Sequence, residues 1–471
     1  MNNKANKANA PVKVLQFGEG NFLRAFVDHM LDIAIEKGLF SGSVQIVKPI
    51  RLGSLDSFRE QGCVYTVLLR DKNALENRVI TCIAGVCDSY DDYGEFMSFA
   101  NSPDLRFVVS NTTEAGIVYD HNDRFEFTPP SSFPGKLTKL LFERFEAFGG
   151  DKQKGLIILP VELIENNGKK LKECCLKLCR LWGLPREFDD WLVESNIFCN
   201  TLVDRIVTGY PKHESEEIAK SLGYDDPLLV CGEPFGLWVI ESDSPIVAQE
   251  LPLDKAGLPI IFTDNLQPYR ERKVRILNGG HTASVAAAYL SGLNTVDEIM
   301  SDPTLRSYLE KVIYSELAPM VPLPQNEVYA FADQVMERFE NPYIKHQLLS
   351  ITLNSVSKFR VRVLPTIVET AEKTGKLPSL LCFSLAALMQ FYSANERSGQ
   401  TYEIHDAPRV LEFFAENSGA KSEEITKEFL SRVDFWGRDL NELPSMSSCV
   451  AQALESTRVS GMRGAVEMVI K

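Results

Sequence analysis

The chain has 471 residues, of which 64 are acidic and 50 basic, leaving a formal net charge of −14. That balance excludes broad binding to nucleic acid or to an anionic membrane surface, because both need clustered positive charge. Apolar residues make up 44% and charged residues 24%, a globular composition with enough length for two or more domains.

Residues 1–11 are polar, rich in Asn and Lys and without periodicity, and read as a disordered tail. The start lacks the apolar segment of a signal peptide, and no apolar run is long enough to span a bilayer. Cytoplasm is therefore the expected compartment. The ten cysteines include no CxxC pair. Cys174, Cys175 and Cys179 have no histidine nearby and read as buried thiols in a helix, so no metal site is expected.

Val12–Phe17 is an apolar run that predicts a buried strand, and Gly18-Glu19-Gly20 predicts a tight turn. Asn21 is placed to cap a helix over Phe22–Lys37 that stops at Gly38. Val44–Val47 predicts the next strand, which completes a βαβ entry to a doubly wound parallel sheet. Further strands are expected at Val64–Leu69, Val79–Val86, Phe107–Ser110 and Leu156–Val161, and helices at Gly135–Phe148 and Lys169–Trp182. From Lys273 onward the pattern turns helical, over 276–291, 303–318, 325–339, 343–358, 379–392, 406–416 and 422–432. The chain thus reads as α/β, with a Rossmann-type domain over 12–258 and a mainly α-helical domain over 259–471.

Glycines in a strand-to-helix turn let the backbone approach a pyrophosphate held by the helix N-terminus. Gly18 and Gly20 fit that fingerprint, but its third glycine is replaced by Leu23, so a plain structural turn stays open. Arg24 adds a cation that can lie near phosphate. Ser110-Asn111-Thr112-Thr113-Glu114, after an apolar strand, is placed for cofactor contact or for loop capping. The acid that often binds the ribose after the second strand is missing, and Lys48-Pro49-Ile50-Arg51 stand there instead.

Lys273, Asn278 and His281 follow one another at spacings of five and three. At roughly 100° per residue, His281 falls near 80° and Asn278 near 140° from Lys273 on an α-helix. Hydride transfer between an alcohol and a ketone needs such a set: a proton donor or acceptor, a donor to the developing oxyanion, and a group that positions substrate. A surface lysine, a cap asparagine and a core histidine would give the same spacing. Gly279 and Gly280 suit the close approach of a ligand or of another backbone.

Lys273, Asn278 and His281 match the Lys-x4-Asn-x2-His motif of the polyol-specific long-chain dehydrogenases, and the chain resembles that mannitol dehydrogenase family. Gln16–Phe26, Asn200–Ile206 and Glu233–Trp238 carry the likeness, which runs from Val12 almost to the end. Pro160–Ile164, Leu202–Gly209, Lys273–Thr282 and His346–Phe359 resemble the members that interconvert D-tagaturonate and D-altronate with NAD(H) in hexuronate catabolism. The resemblance implies a keto-uronate or aldonate substrate, NAD as cofactor, a catalytic lysine and no metal. Reduction of fructuronate, or oxidation of mannitol or mannitol 1-phosphate, is the alternative. On this reading Lys273, Asn278 and His281 are catalytic. Phe17, Gly18, Gly20, Asn21, Phe22, Arg24, Asn111 and Thr112 line the cofactor. Glu162, His346 and Lys358 meet the substrate. Leu163 stands where mannitol-type members carry an asparagine, which counts against mannitol. A uronate carboxylate calls for a cation, and His346, Lys358, Arg360, Arg362 and Arg275 are the candidates.

Overall fold

The computed structural model describes residues 10–112, 115–397 and 399–471. Most of the tail expected over residues 1–11, and Thr113-Glu114 of the polar segment, lie outside the described residues. The chain divides into two compact units, Met1–Leu266 and Gln267–Lys471.

The strands of the first unit begin with β1 (Val12–Phe17), β2 (Ser43–Lys48), β3 (Tyr65–Arg70), β4 (Leu75–Ile80) and β5 (Ile83–Asp88). They continue with β6 (Phe107–Ser110), β7 (Ile157–Pro160), β8 (Ile197–Phe198) and β9 (Asn200–Asp204). The last are β10 (Val207–Gly209), β11 (Val230–Gly232), β12 (Leu237–Glu241) and β13 (Ile260–Thr263). One sheet runs β5-β2-β1-β6-β7-β8 and is parallel throughout. Numbered by order of use within that sheet, this is 3-2-1-4-5-6, the order of dinucleotide-binding folds, with its switch point between β1 and β6.

Each face of that sheet carries its own core. Val14 and Ile46 pack with Leu23, Phe26 and Met30 of the helical run after β1. Leu15 and Phe17 pack on the other face with Leu137 and Leu140 of Phe133–Ala147 and with Leu171 and Cys175 of Asn167–Trp182. Each fully buried side chain of this size contributes about 1.5–3 kcal/mol. Cys174, Cys175 and Cys179 are buried free thiols of that last helix, as their apolar setting in the sequence suggested.

The two smaller sheets run β10-β11-β3-β4 and β13-β12-β9. Arg205 pins them to the first helical run: it donates to the carbonyls of Ala25 (2.6 Å), Phe235 (2.9 Å) and Pro234 (3.2 Å). Glu233 accepts from the Ile206 amide at 2.6 Å. The sequence motifs around Arg205 and Glu233 are therefore scaffold.

The single strand expected over Val79–Val86 is two, β4 and β5, which belong to different sheets. The break has a cause: the Thr81 amide and hydroxyl both donate to buried Asp32, at 3.0 and 3.2 Å, and pull the chain off the ladder.

The second unit is mainly helical. Gly279–Leu290 is buried on nearly every side, and Ser379–Ala394 packs against it. Gln325–Phe339 has the expected bounds. The helix expected over 343–358 is broken into Leu348–Ile351 and Ser355–Arg362, because Asn354 takes a left-handed conformation at φ 53°. The one expected over 303–318 is α-helical only over Pro303–Lys311 and then widens into a π-helix, Val312–Leu317. Leu364–Thr374 and Met446–Val469, the latter broken at Gly461, are helices the periodicity did not single out. Among the described residues, no helix is long and apolar enough to cross a membrane.

Candidate active site

The turn after β1 is built for a close backbone approach. Gly18 sits at φ 124°, and a Cβ there would lie 3.0 Å from the Asn111 carbonyl oxygen and from Leu23 Cδ1. Its amide donates to the Val47 carbonyl at 3.0 Å, so the turn is tied to β2. Gly20 is exposed, with nothing within 4 Å of the place a Cβ would take. Gly20, not Asn21, is the N-cap, and no side chain caps the helix it opens. A helix start whose first amides no side chain caps is suited to an anion.

The side chains expected to face a cofactor separate into two kinds. Phe17 is fully buried, packed against Phe96 and Phe133. Phe22 stacks on Phe26 at 4.9 Å. Arg24 turns inward: its guanidinium donates to the Leu228 carbonyl and to Asn21 Oδ1, and burial lowers its pKa. Asn111 Nδ2 donates to the Val161 carbonyl at 3.2 Å. Thr112 gives its amide and hydroxyl to Glu162 Oε1, at 3.0 and 2.8 Å, and the Ser110 hydroxyl gives to Oε2 at 3.1 Å. Glu162 is 3% exposed, and burial raises its pKa. This carboxylate clamps the ends of β6 and β7 together.

Beyond β2 and β6 a crevice of about 450 Å³ opens, lined by Pro49, Ile50, Thr112, Gly116 and Ser131 among others. This is the carboxyl-end crevice in which open α/β sheets take ligands. Lys48, which stands where a ribose-binding acid is usual, is paired at 2.6 Å with Asp88 at the end of the neighbouring β5. Its charge is therefore spent. That pairing is not visible in the second strand alone, because Asp88 lies forty residues on in the sequence.

Below the turn, Asp28 is fully buried and accepts from the Tyr65 hydroxyl (2.7 Å) and Gln16 Nε2 (3.3 Å). Burial pushes its pKa up to about 7. The native state then keeps a proton that the unfolded chain has released, and the stabilisation is lost as pH rises through 7. Asp28→Asn removes that charge, so its melting temperature, read against the parent chain, should gain more at pH 8 than at pH 5. An equal difference at both pH values would refute the charged-state argument.

In the second unit the helical phase departs from the expected one. Lys273–Asn278 is a π-helix, and the Gly279 amide bonds back to the Val274 carbonyl, five residues earlier. The wide turn pairs residues at i and i+5, so Lys273 and Asn278 come closer in phase than the 140° of an α-helix. His281 follows Asn278 by one α-helical turn. π-Bulges are frequent at functional sites.

Gly279 meets the Arg362 carbonyl (3.2 Å from a would-be Cβ), and Gly280 meets Ile313 (3.1 Å). Gly279 thus admits another backbone, one of the two uses the pair suggested, while Gly280 admits a side chain.

His281 is 8% exposed, stacks on Phe339 at 4.3 Å and meets His346 edge-on at 5.5 Å. Burial, then His346, Arg338 and Arg362, hold its pKa well below the usual range, so the ring is neutral at pH 7. Its Nε2 is buried with no hydrogen-bond partner among the described residues. Lys358 donates to the Ile351 carbonyl at 3.0 Å. Burial and Lys358 lower His346, and burial and Arg362 lower Lys358.

Two cationic candidates are placed elsewhere. Arg275 forks onto Glu369 at 2.6 and 3.0 Å. Arg360 packs over Gly437, its NH2 2.7 Å from a would-be Cβ there. Among the described residues, no group of three or more His, Cys, Asp or Glu side chains is arranged to hold a metal ion.

Two family models cover the chain: the mannitol dehydrogenase Rossmann domain over residues 12–255 and the mannitol dehydrogenase C-terminal domain over 265–458. The altronate oxidoreductase of Yersinia enterocolitica is 44% identical over 467 residues, 97% of this chain and 96% of the relative. That of Escherichia coli is 44% identical over 470 residues, 98% and 97%. Among solved structures, Pseudomonas fluorescens mannitol 2-dehydrogenase in ternary complex with NAD and D-mannitol matches with TM-score 0.71 at 23% identity, over 98% of this chain and 95% of that one. A substrate-free D-sorbitol dehydrogenase matches with TM-score 0.82 at 22% identity, over 97% and 95%. At those identities the two structures establish the fold.

Proposed function

Because the chain belongs to the mannitol dehydrogenase family, oxidoreductases acting on a CH–OH group, we propose that it reduces D-tagaturonate to D-altronate, reversibly, with NAD(H). The observation that carries the reading is the wide turn Lys273–Asn278, followed one turn later by a neutral, buried His281 whose Nε2 has no hydrogen-bond partner among the described residues. The 44% identity to altronate oxidoreductases along nearly the whole chain supports the substrate.

The residues present fit a nicotinamide dinucleotide. The uncapped helix start at Gly20, with open space over that glycine, suits its pyrophosphate. The crevice beyond β2 and β6, walled by Pro49, Ile50 and Thr112, suits its adenosine end. NADH, when bound, supplies the hydride. The first unit is the cofactor domain and the second the substrate and catalytic domain.

Lys273 Nζ gives the proton to the carbonyl oxygen as the ketone becomes an alcohol, and takes it back in oxidation. The Asn278 side-chain amide donates to the same oxygen while negative charge develops on it. A neutral His281 has one donor and one acceptor nitrogen, and its Nε2 is available to a substrate hydroxyl. His346 and Lys358 bind the substrate. Glu162 keeps the ends of β6 and β7 in place through Ser110 and Thr112.

The test is oxidation of D-altronate, D-mannonate and D-mannitol in parallel, with NAD or NADP, followed by absorbance at 340 nm. The proposal expects the highest kcat/KM for D-altronate with NAD. Preference for D-mannonate or D-mannitol would retain the chemistry and reject the substrate. Preference for NADP would reject the cofactor.

A further inference from the structure

Beside His281 the second unit holds two cations, Lys358 and Arg362, that no carboxylate among the described residues meets in a salt bridge. Lys358 and Arg362 lie one turn apart on Ser355–Arg362, a like-charged i,i+4 pair that by itself disfavours the helix. Arg362 is half-buried, and its one hydrogen bond among the described residues goes to a hydroxyl, Thr282 Oγ1, at 3.4 Å. Asp406, the acid that acts on Lys358, is already engaged by the Tyr392 hydroxyl and by the amides of Val356 and Ala407. Arg275, by contrast, is neutralised by Glu369 as a fork-to-fork partner.

Two contacts place Arg362 at the reacting end of the site. Its carbonyl abuts Gly279, next to Asn278, and its guanidinium reaches Thr282, next to His281. Arg362 also acts electrostatically on His281, whose buried Nε2 has no hydrogen-bond partner among the described residues. A half-buried guanidinium with most donors unused, beside a second cation, is a receptor for a planar anion.

We propose that Arg362 takes the substrate carboxylate as a fork, with Lys358 adding charge, and so selects keto-sugar acids over the uncharged sugars of the same shape. The inference rests on the keto-uronate reading above and names the residue that enforces it. Two charge-assisted hydrogen bonds lost together lower affinity about 100-fold or more.

The experiment compares the parent enzyme with Arg362→Gln, Arg362→Lys and Arg360→Gln on D-tagaturonate and on D-tagatose, which carries CH2OH in place of the carboxylate. A titration of NADH fluorescence reports whether each variant is folded and binds cofactor. Arg362→Gln should raise KM for D-tagaturonate about 100-fold while changing kcat/KM for D-tagatose less than threefold. Arg362→Lys should recover part of that loss, and Arg360→Gln should behave as the parent. An unchanged KM for D-tagaturonate in Arg362→Gln, or equal losses on both sugars, would overturn the assignment. If the parent ignores D-tagaturonate, the substrate reading fails separately. Calorimetric titration with D-altronate against D-altritol then decides the carboxylate site: binding of the acid that Arg362→Gln abolishes supports it, and no preference for the acid rejects it.

Discussion

Lys273→Ala should lower kcat for D-tagaturonate reduction by about 10³-fold, within the 10²–10⁴ that a positioned general acid contributes. NADH affinity should stay that of the parent, since the dinucleotide is assigned to the other unit. Lys273→Arg should not restore activity, because a guanidinium does not give up its proton near neutrality. Added methylamine should restore part of it in Lys273→Ala, by supplying the missing ammonium. The wide turn makes this a sharp expectation: Lys273 and Asn278 are brought towards one phase by an inserted residue, and helices bear such bulges at a cost in regularity. Retained activity in Lys273→Ala would move the proton donor elsewhere. A borohydride-trapped sugar adduct on Lys273 would replace hydride transfer with Schiff-base chemistry.

Gly18→Val should abolish measurable NADH binding and lower the melting temperature. A left-handed backbone costs a residue with a side chain about 1–3 kcal/mol. Here the added atoms also meet the Asn111 carbonyl at 3.0 Å. That carbonyl cannot retreat freely, because the Asn111 amide is bonded to the Phe17 carbonyl at 3.1 Å in the ladder. Gly20→Val separates folding from binding. Gly20 has φ −68° and open space where a Cβ would stand, so the fold accepts a side chain there. The pyrophosphate does not, so Gly20→Val should melt as the parent does and bind NADH at least 100-fold more weakly. Parent-like NADH affinity in Gly20→Val would place the cofactor away from this turn.

Much of the first unit is legible in the chain because its strands are short apolar runs between turn formers. Val12–Phe17 and Phe107–Ser110 come out with the observed bounds. A buried parallel strand needs little but such a run, so its signal is local. The features that escaped depend on partners distant in sequence. The split between β4 and β5 follows from Asp32, some fifty residues earlier. Neutralisation of Lys48 follows from Asp88 on the neighbouring strand.

The candidate site was legible as residue types at a spacing, but not as geometry. Periodicity counts α-helical turns, so it put Asn278 near 140° from Lys273 and carried no sign of the π-helix that narrows that angle. It also gave no ranking among the cations. Glu369, nearly a hundred residues away, removes Arg275 from the set, and the packing of Arg362 onto Gly279 brings that arginine in. Arg24 illustrates the same limit: its place in a glycine turn suggests phosphate, while the Leu228 carbonyl and burial turn it inward.

The most direct measurement is one turnover of D-tagaturonate with NADH deuterated at the transferred position, followed by NMR of the product. Direct hydride transfer to the ketone predicts D-altronate as the product, with one deuterium on the carbon that carried the carbonyl, and the same product formed about 10³-fold more slowly by Lys273→Ala. Unlabelled product, a different epimer, or labelled D-altronate formed equally fast by Lys273→Ala would contradict the assignment.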